Sequence, residues 1–253
     1  MKKDKLAVQL YTVRDFLKTR EDVVASLKKI KEIGFDAVQM TTCMVSMPEA
    51  ELASMLSDAG LLCCATQEPG KMIVEEPGKV AARLLALGCK HTAYPYPHCP
   101  LESESDYVEL AKNLNSAGRV LAEAGLLLSY HNHALEFERF GKRSGLEIIY
   151  DETDPACVQG EIDTYWVQHG GCDPVAWCKK LSGRLPLIHL KEFGILNGQI
   201  SILEIGSGNL DWRKIISAAS EAGTEWFIIE QDICRIDPFE SLRMSFEYLL
   251  NEL

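Results

Sequence analysis

The residues best suited to chemistry lie in the segment Leu126–Glu138, which reads LLLSYHNHALEFE. The apolar run from Leu126 to Leu128 comes shortly before His131 and His133 and predicts a short buried strand. Because side chains alternate across a strand, the two imidazoles would point to the same face. Such a pair at the end of a buried strand suits a metal site or a proton-transfer site, and two hydrogen-bonded structural histidines fit the pattern equally well.

Three later segments end in a similar pair of polar or charged residues, two positions apart. The pairs are Glu161 and Asp163, His189 and Lys191, and Glu230 and Asp232. If these ends meet, their carboxylates would repel one another unless a cation or shared protons lay between them. Carboxylate and imidazole donors together suit Mn²⁺, Mg²⁺, Zn²⁺, Co²⁺ or Fe²⁺. The set contains no cysteine, which argues against a structural zinc site.

The elements that must position these residues form a regular alternation of strand and helix. We predict strands at Leu6–Tyr11, Ala37–Met40, Leu61–Thr66, His91–Tyr94, Leu126–His131, Val158–Ile162, Pro186–Leu190 and Trp226–Glu230. We predict helices at Glu21–Ile33, Pro48–Ala59, Gly78–Leu87, Ser105–Glu123, Gly145–Glu152, Pro174–Leu181, Asp211–Ala222 and Pro238–Leu250.

Eight such units in a chain of 253 residues predict an α/β fold, a single (β/α)8 TIM barrel covering residues 1–253. An open doubly wound sheet is the alternative, and it is weaker because no G-x-G-x-x-G follows the first strand. In a barrel the functional residues lie at the carboxyl ends of the strands, so the polar pairs would converge on one mouth.

Composition narrows the class of ligand. The formal net charge of −11 favours small-molecule chemistry over binding to a nucleic acid backbone. No apolar run approaches the ~20 residues of a membrane span, and the start of the chain lacks a signal-peptide core. The nine cysteines are scattered and are interpreted as reduced thiols of a cytoplasmic protein. We therefore expect neither a nucleic acid nor a membrane partner, and we leave a homo-oligomer open.

Several segments also carry a family resemblance. They are YHNH at Tyr130–His133, GEIDTYWVQHGGCDP at Gly160–Pro174, RLPLIHLKEF at Arg184–Phe193 and EIGSGNLDW at Glu204–Trp212. In order and spacing the chain resembles the sugar phosphate isomerase/epimerase family, also called xylose isomerase-like TIM barrels. Within that family it is similar to a branch with inosose dehydratase-like and 3-keto-sugar-processing members.

The resemblance implies one divalent metal ion held by residues from the last four strands. Position by position, the ligands would be Asp163, His189 and Glu230, with His131 at the place where the family usually has a glutamate. Because of that departure, three other residues remain alternatives for the fourth ligand, namely His133, Glu136 and Glu138.

The activity implied is that of a metal-dependent isomerase or epimerase of a sugar, cyclitol or keto-sugar, acting through an enediolate. Loss of a hydroxyl from the same enolate would make the enzyme a dehydratase or lyase. Glu161 and His133 are the candidate acid–base groups, and Lys191 would stabilise negative charge. The expected substrate-binding residues are Gln9, Trp166 and Asp232.

Two other functions fit less well. A phosphodiesterase resembling endonuclease IV would use several metals and more histidines, and Trp166 stands where a further histidine would be expected. A sugar-binding barrel without catalysis is weakened because every expected ligand position holds a competent ligand type. Gly206 and Gly208 could cradle a phosphate, but a simple turn before the helix at Asp211 explains them better.

Overall fold

The computed structural model describes residues 2–253, and its central feature is a closed barrel of eight parallel strands. The barrel strands are β1 (Leu6–Gln9), β2 (Ala37–Met40), β3 (Leu62–Gln67), β4 (His91–Tyr94), β5 (Leu127–His131), β8 (Val158–Asp163), β9 (Leu187–Leu190) and β12 (Trp226–Ile229). They follow one another around the barrel in chain order, and β12 closes on β1. This arrangement confirms the predicted TIM barrel.

Helices surround the barrel. They are α1 (Arg20–Ile33), α2 (Glu49–Ala59), α3 (Gly70–Glu75), α4 (Pro77–Ala86), α5 (Glu104–Glu123), α6 (Gly145–Glu152), α7 (Thr164–His169), α8 (Pro174–Lys180), α9 (Trp212–Glu221) and α10 (Pro238–Glu252). Capping residues set several of their starts: Thr19 and Ser144 form capping boxes, and Asp163 caps α7. Within residues 2–253, none of these helices is both long and apolar enough to cross a membrane.

Strand register decides which side chains meet inside the barrel. Gln9 pairs with Gln39, His131 with Glu161, and Asp163 with His189. Below these polar residues the interior is filled by a small apolar cluster of Ala7, Ala37, Cys64, Ala65, Leu187 and Ile228. The polar groups are therefore confined to the end of the barrel where the strands finish.

Some local predictions were wrong. The first strand ends at Gln9 instead of Tyr11, because the chain turns into a 3-10 segment at Leu10–Phe16. After β9 the chain forms an antiparallel hairpin, β10 (Glu192–Leu196) and β11 (Gln199–Leu203), which was not predicted. A second short hairpin, β6 (Arg139–Phe140) and β7 (Arg143–Ser144), and the helices α3 and α7 were also missed.

The loop that follows the hairpin is held by a buried carboxylate. Glu192 is 1% exposed and accepts hydrogen bonds from the backbone N–H groups of Gly206 and Leu210 and from the indole of Trp212. A Cβ atom on Gly208 would lie 2.5 Å from the Glu192 carboxylate, so the close approach requires glycine there. The two glycines of this loop thus serve a structural turn, which agrees with the simpler interpretation of the sequence.

Candidate metal centre and active-site cavity

Four side chains converge at the carboxyl end of the barrel. His131 ends β5, Asp163 ends β8, His189 lies in β9 and Glu230 directly follows β12. One donor atom from each lies within 4.8 Å of the donor atoms of the other three, and all four residues are buried. The structure therefore brings together the set of His131, Asp163, His189 and Glu230 that the sequence singled out, in an arrangement that could hold one metal ion.

The alternative ligands after β5 lie elsewhere. Glu136 is buried, but its carboxylate accepts a hydrogen bond from the Tyr130 hydroxyl at 3.0 Å and from the His133 backbone N–H at 2.8 Å. Glu138 is exposed on the surface. Of the four alternatives, the geometry places His131 in the cluster.

The local fold holds Asp163, one of the four candidate ligands, in a fixed position. One carboxylate oxygen, Oδ1, accepts a hydrogen bond from the backbone N–H of Trp166 and caps helix α7. The backbone N–H of Asp163 is held at 3.0 Å by the side-chain oxygen of Asn132. The other oxygen, Oδ2, is buried and lies 2.8 Å from the Lys191 ammonium. It is the oxygen of Asp163 that is left for a metal ion, since Oδ1 caps the helix.

Lys191 carries a positive charge into the same cluster. Its ammonium lies 2.8 Å from Asp163, 2.7 Å from Glu230 and 3.1 Å from Asp232. Its approach to Asp163 Oδ2 is an ionic contact that lacks hydrogen-bond alignment. Burial alone would lower the pKa of Lys191, but Asp163 and Glu230 raise it well above its ordinary value. Lys191 is therefore an ammonium.

The balance of charge at the mouth favours a further cation. Burial would raise the pKa of Glu230, but Lys191 and His189 lower it well below its ordinary value, so Glu230 is a carboxylate. Burial would lower the pKa of His189, but Glu161 and Glu230 raise it to about 9. Carboxylates on every side thus attract positive charge, and the mixed nitrogen and oxygen donor set suits a divalent transition metal or magnesium ion.

Glu161 lies beneath the cluster and not on the cavity wall. It is fully buried, and its two oxygens accept hydrogen bonds from the side-chain amides of Gln39 at 2.6 Å and Gln67 at 3.0 Å. The Nδ1 atom of His131 lies 3.3 Å from Glu161 Oε2. The acid–base role expected for Glu161 does not agree with this position, because the carboxylate faces the ligands and the amides from below.

Gln9 is placed similarly. It is fully buried below the mouth, where its amide donates a hydrogen bond to Gln39 at 2.9 Å. The expectation that Gln9 contacts substrate does not agree with this position. Its side chain is part of the polar layer that supports the cluster.

A cavity of about 420 Å³ opens above the cluster. Most of the residues predicted for the site line this cavity. The exceptions are Gln9, Glu161, Asp163 and His189, which are fully buried and not part of its walls. The lining residues are Tyr11, Thr41, Thr42, Cys43, Gln67, Pro95, Tyr96, His131, His133, Trp166, Lys191, Glu230 and Asp232. A volume of this size fits a small polar molecule.

Tyr96 is one of several cavity residues that were not predicted from the sequence. Its ring packs edge-on against His133, with the ring centroids 5.1 Å apart. The signal was present in the turn-rich segment Tyr94–Pro100, which follows β4 and therefore had to lie at the mouth. Two of the other tryptophans, Trp177 and Trp212, are buried in the packing outside the barrel, as expected.

His133 stands on the cavity wall between Tyr96 and Trp166. Burial, together with His131 and Lys191, lowers the pKa of His133 to about 2, so its imidazole is uncharged at neutral pH. Its Nδ1 atom and the indole Nε1 of Trp166 are buried polar atoms without a partner.

The barrel and its mouth define a TIM-barrel protein with a buried group of donors able to hold one divalent ion next to a small-molecule cavity. The chain belongs to the xylose isomerase-like TIM barrel family, whose model matches residues 27–251.

Comparison with individual proteins supports this assignment. The chain is 26% identical over 170 residues to an inosose dehydratase of Clostridium tetani, a match that covers 59% of this chain and 56% of that protein. It thus matches little more than half the length of this curated relative. A crystal structure of a sugar phosphate isomerase/epimerase from Parabacteroides distasonis superimposes with a TM-score of 0.85 at 23% identity, covering 98% of this chain and 94% of that one. A probable 3-DHS dehydratase of petrobactin synthesis from Bacillus anthracis gives a TM-score of 0.74 at 13% identity, covering 98% and 100%.

Proposed function

We propose that the protein is a divalent-metal-dependent enzyme that removes the proton next to the carbonyl of a keto-sugar or keto-cyclitol. The observation that carries this proposal is the buried group of His131, Asp163, His189 and Glu230 at the floor of a polar cavity. A divalent cation held there would polarise the carbonyl and stabilise the negative charge that develops as the proton leaves.

The cavity wall supports a polyhydroxylated substrate. Trp166 and Tyr96 offer aromatic faces for the apolar side of a sugar or cyclitol ring. Trp166 and His133 also carry ring nitrogens, and as residues of the cavity wall they would hydrogen-bond to hydroxyl groups of the substrate. The carboxylate of Asp232, which forms an ion pair with Lys191, would accept a hydrogen bond from a further hydroxyl group of the substrate.

His133 is the residue best placed to take the proton. Its imidazole is neutral and lies on the cavity wall, with its ring centroid 4.9 Å from that of the ligand His131. A neutral imidazole on the cavity wall can accept the proton and later return it, so one group would serve first as base and then as acid. The Lys191 ammonium would hold the developing oxyanion by electrostatic attraction.

The fate of the enolate decides the class of reaction. Loss of a hydroxyl at the neighbouring carbon would make the protein a dehydratase, and the similarity to a curated inosose dehydratase supports this outcome. Return of the proton would make it an isomerase or epimerase. That second candidate is favoured by a second titratable group on the wall, the Lys191–Asp232 pair, whose ammonium and carboxylate are 3.1 Å apart.

A phosphodiesterase resembling endonuclease IV has less support. Among the cavity-lining residues Lys191 is the one lysine or arginine, and three carboxylates already share its charge. A binding protein without catalysis would not need four buried ligand groups beside a neutral imidazole. We therefore expect a small, uncharged polar substrate and no nucleic acid partner.

The test is a screen of metal-loaded protein against inososes, ketoses and keto-sugars, followed by NMR spectroscopy. Protein loaded separately with Mn²⁺, Mg²⁺, Zn²⁺, Co²⁺ and Fe²⁺ is compared with chelator-treated protein and with an abasic oligonucleotide as a control substrate. We expect turnover of a keto-sugar or inosose that chelator abolishes. Cleavage of the oligonucleotide alone would contradict the proposal.

A further inference from the structure

A chain of buried hydrogen bonds runs beneath the cluster from the backbone to His189. The backbone N–H of Tyr11 donates to Oε1 of Gln9 at 3.1 Å. Nε2 of Gln9 donates to Oε1 of Gln39 at 2.9 Å. Oε1 of Gln39 lies 2.6 Å from Nε2 of His189.

The backbone N–H of Tyr11 fixes which atom donates and which accepts in each of these hydrogen bonds. A backbone N–H can only donate, so the atom of Gln9 that faces Tyr11 must be its carbonyl oxygen. The amide nitrogen of Gln9 then faces Gln39, and the atom of Gln39 that receives it must be an oxygen. An amide oxygen can only accept, so Nε2 of His189 must carry a hydrogen.

The contact between Gln39 and Glu161 independently gives the same orientation of the Gln39 amide. Nε2 of Gln39 donates to Oε1 of Glu161 at 2.6 Å, and the second oxygen of Glu161 accepts from the Gln67 amide at 3.0 Å. Turning the Gln39 amide over would set its oxygen against the Glu161 carboxylate and its nitrogen against the nitrogen of Gln9. Both contacts would then be repulsive in a fully buried site.

We propose that Gln39 is a positioning residue that keeps Nε2 of His189 protonated, so that Nδ1 is the nitrogen that binds a metal ion, in place of its hydrogen bond to Glu230. Nδ1 is the nitrogen that faces the other ligands, 2.9 Å from Glu230 and 3.9 Å from Asp163. The backbone amide of Tyr11 thereby sets the tautomer of a metal ligand through two glutamines. This inference rests on the proposed metal centre.

The position of Gln39 in the barrel explains how it reaches the ligand. Gln39 lies on β2 and His189 on β9, and two strands, β1 and β12, separate them around the wall. The Gln39 side chain therefore crosses the interior, above the small residues Ala37 and Ala65. Partners that hold the distal nitrogen of a metal-bound histidine typically change metal affinity by ~10–100-fold when they are removed.

The test measures Zn²⁺ affinity by competition with a chromogenic chelator in wild type, Gln39→Met and Thr92→Val. Gln39→Met removes the acceptor, and a loss of ~10–100-fold in affinity is expected. Thr92→Val removes a buried hydrogen bond to Thr66 that lies away from the cluster, so its affinity should equal that of wild type.

A spectroscopic readout separates positioning from mere loss of structure. In Zn²⁺-loaded wild-type protein labelled with ¹⁵N-histidine, the His189 Nε2–H should give a slowly exchanging resonance. That resonance should be lost in Gln39→Met. If wild type binds Zn²⁺ and Gln39→Met binds it equally, with the resonance intact, the positioning role is refuted. If wild type binds no Zn²⁺, the metal centre of the proposed function itself is refuted.

Discussion

His131 and Glu161 face each other as register partners on β5 and β8, and the imidazole Nδ1 lies 3.3 Å from a carboxylate oxygen of Glu161. The sequence resemblance places a glutamate where this chain has His131. A glutamate there would set two carboxylates against each other in a fully buried layer, whereas an imidazole adds no second negative charge beside Glu161. The departure at residue 131 and the buried acid at residue 161 therefore belong together.

This pairing predicts a non-additive effect on stability. His131→Glu should lower the free energy of unfolding of the metal-free protein by roughly 1–3 kcal/mol, since a second buried carboxylate meets Glu161. Adding Glu161→Gln should recover much of that loss, because an amide can donate to the new carboxylate. Urea unfolding of both single variants and the double variant in the presence of chelator gives the coupling energy. Strictly additive effects would contradict the pairing.

The identity of the ligand after β5 gives a second prediction. His131→Ala should lose ~10–100-fold or more in metal affinity, because it removes a donor from the cluster. Glu138→Ala is the matched control, since that side chain is exposed and lies outside the cluster. Metal titrations of the two variants decide the matter. A loss of metal affinity in Glu138→Ala with none in His131→Ala would show that the ligand lies in the loop after β5.

His133 and Glu161 should separate into different kinetic classes. His133→Asn should slow turnover by ~10²–10⁴-fold with metal still bound, because it removes the proposed base. Glu161→Gln should instead weaken metal binding by ~10–100-fold, with turnover largely restored at saturating metal, because its carboxylate supports the ligands from below. Turnover measured against metal concentration distinguishes the two. Glu161→Gln protein that binds metal normally yet turns over ~10³-fold more slowly would return the base role to Glu161.

The fold and most of the cluster could be predicted from sequence for a simple physical reason. Parallel barrel strands finish at the same end, so residue types at strand ends can be placed together without knowing any angle. His131, Asp163, His189 and Glu230 were found in this way. The sequence does not show how far below the mouth of the barrel a side chain lies. For that reason Glu161 and Gln9 were predicted to line the cavity, whereas they lie in the polar layer below it.

The hairpin after β9 was not predicted because its sequence resembles an ordinary loop of the strand–helix alternation. Phe193–Ile202 reads as a turn-containing loop between a strand and a helix, and its pairing is antiparallel and local. Glu192, which follows Lys191 in the HLKE segment, gave no signal of its own, because a carboxylate that anchors a loop looks like any other charged residue. Its role is visible only from the four donors that surround it, which belong to Phe193, Gly206, Leu210 and Trp212.

Glu192 provides a stability prediction outside the chemistry. Glu192→Gln should lower the free energy of unfolding by about 1–3 kcal/mol, because an amide cannot accept at both positions from Gly206, Leu210 and Trp212. Urea unfolding checks this, with the exposed Glu221→Gln as control. Equal stability of the two variants would show that the loop does not depend on the carboxylate.

The proposed reaction begins with removal of the proton next to a carbonyl, and solvent isotope exchange tests this step directly. A keto-sugar or inosose that the metal-loaded protein turns over is incubated with it in D₂O, and substrate and product are examined by NMR spectroscopy and mass spectrometry. We predict that the α-hydrogen exchanges with solvent or that solvent deuterium enters the product, and that His133→Asn slows this exchange. Turnover with the α-hydrogen fully retained would contradict an exchanging base and indicate a hydride shift instead.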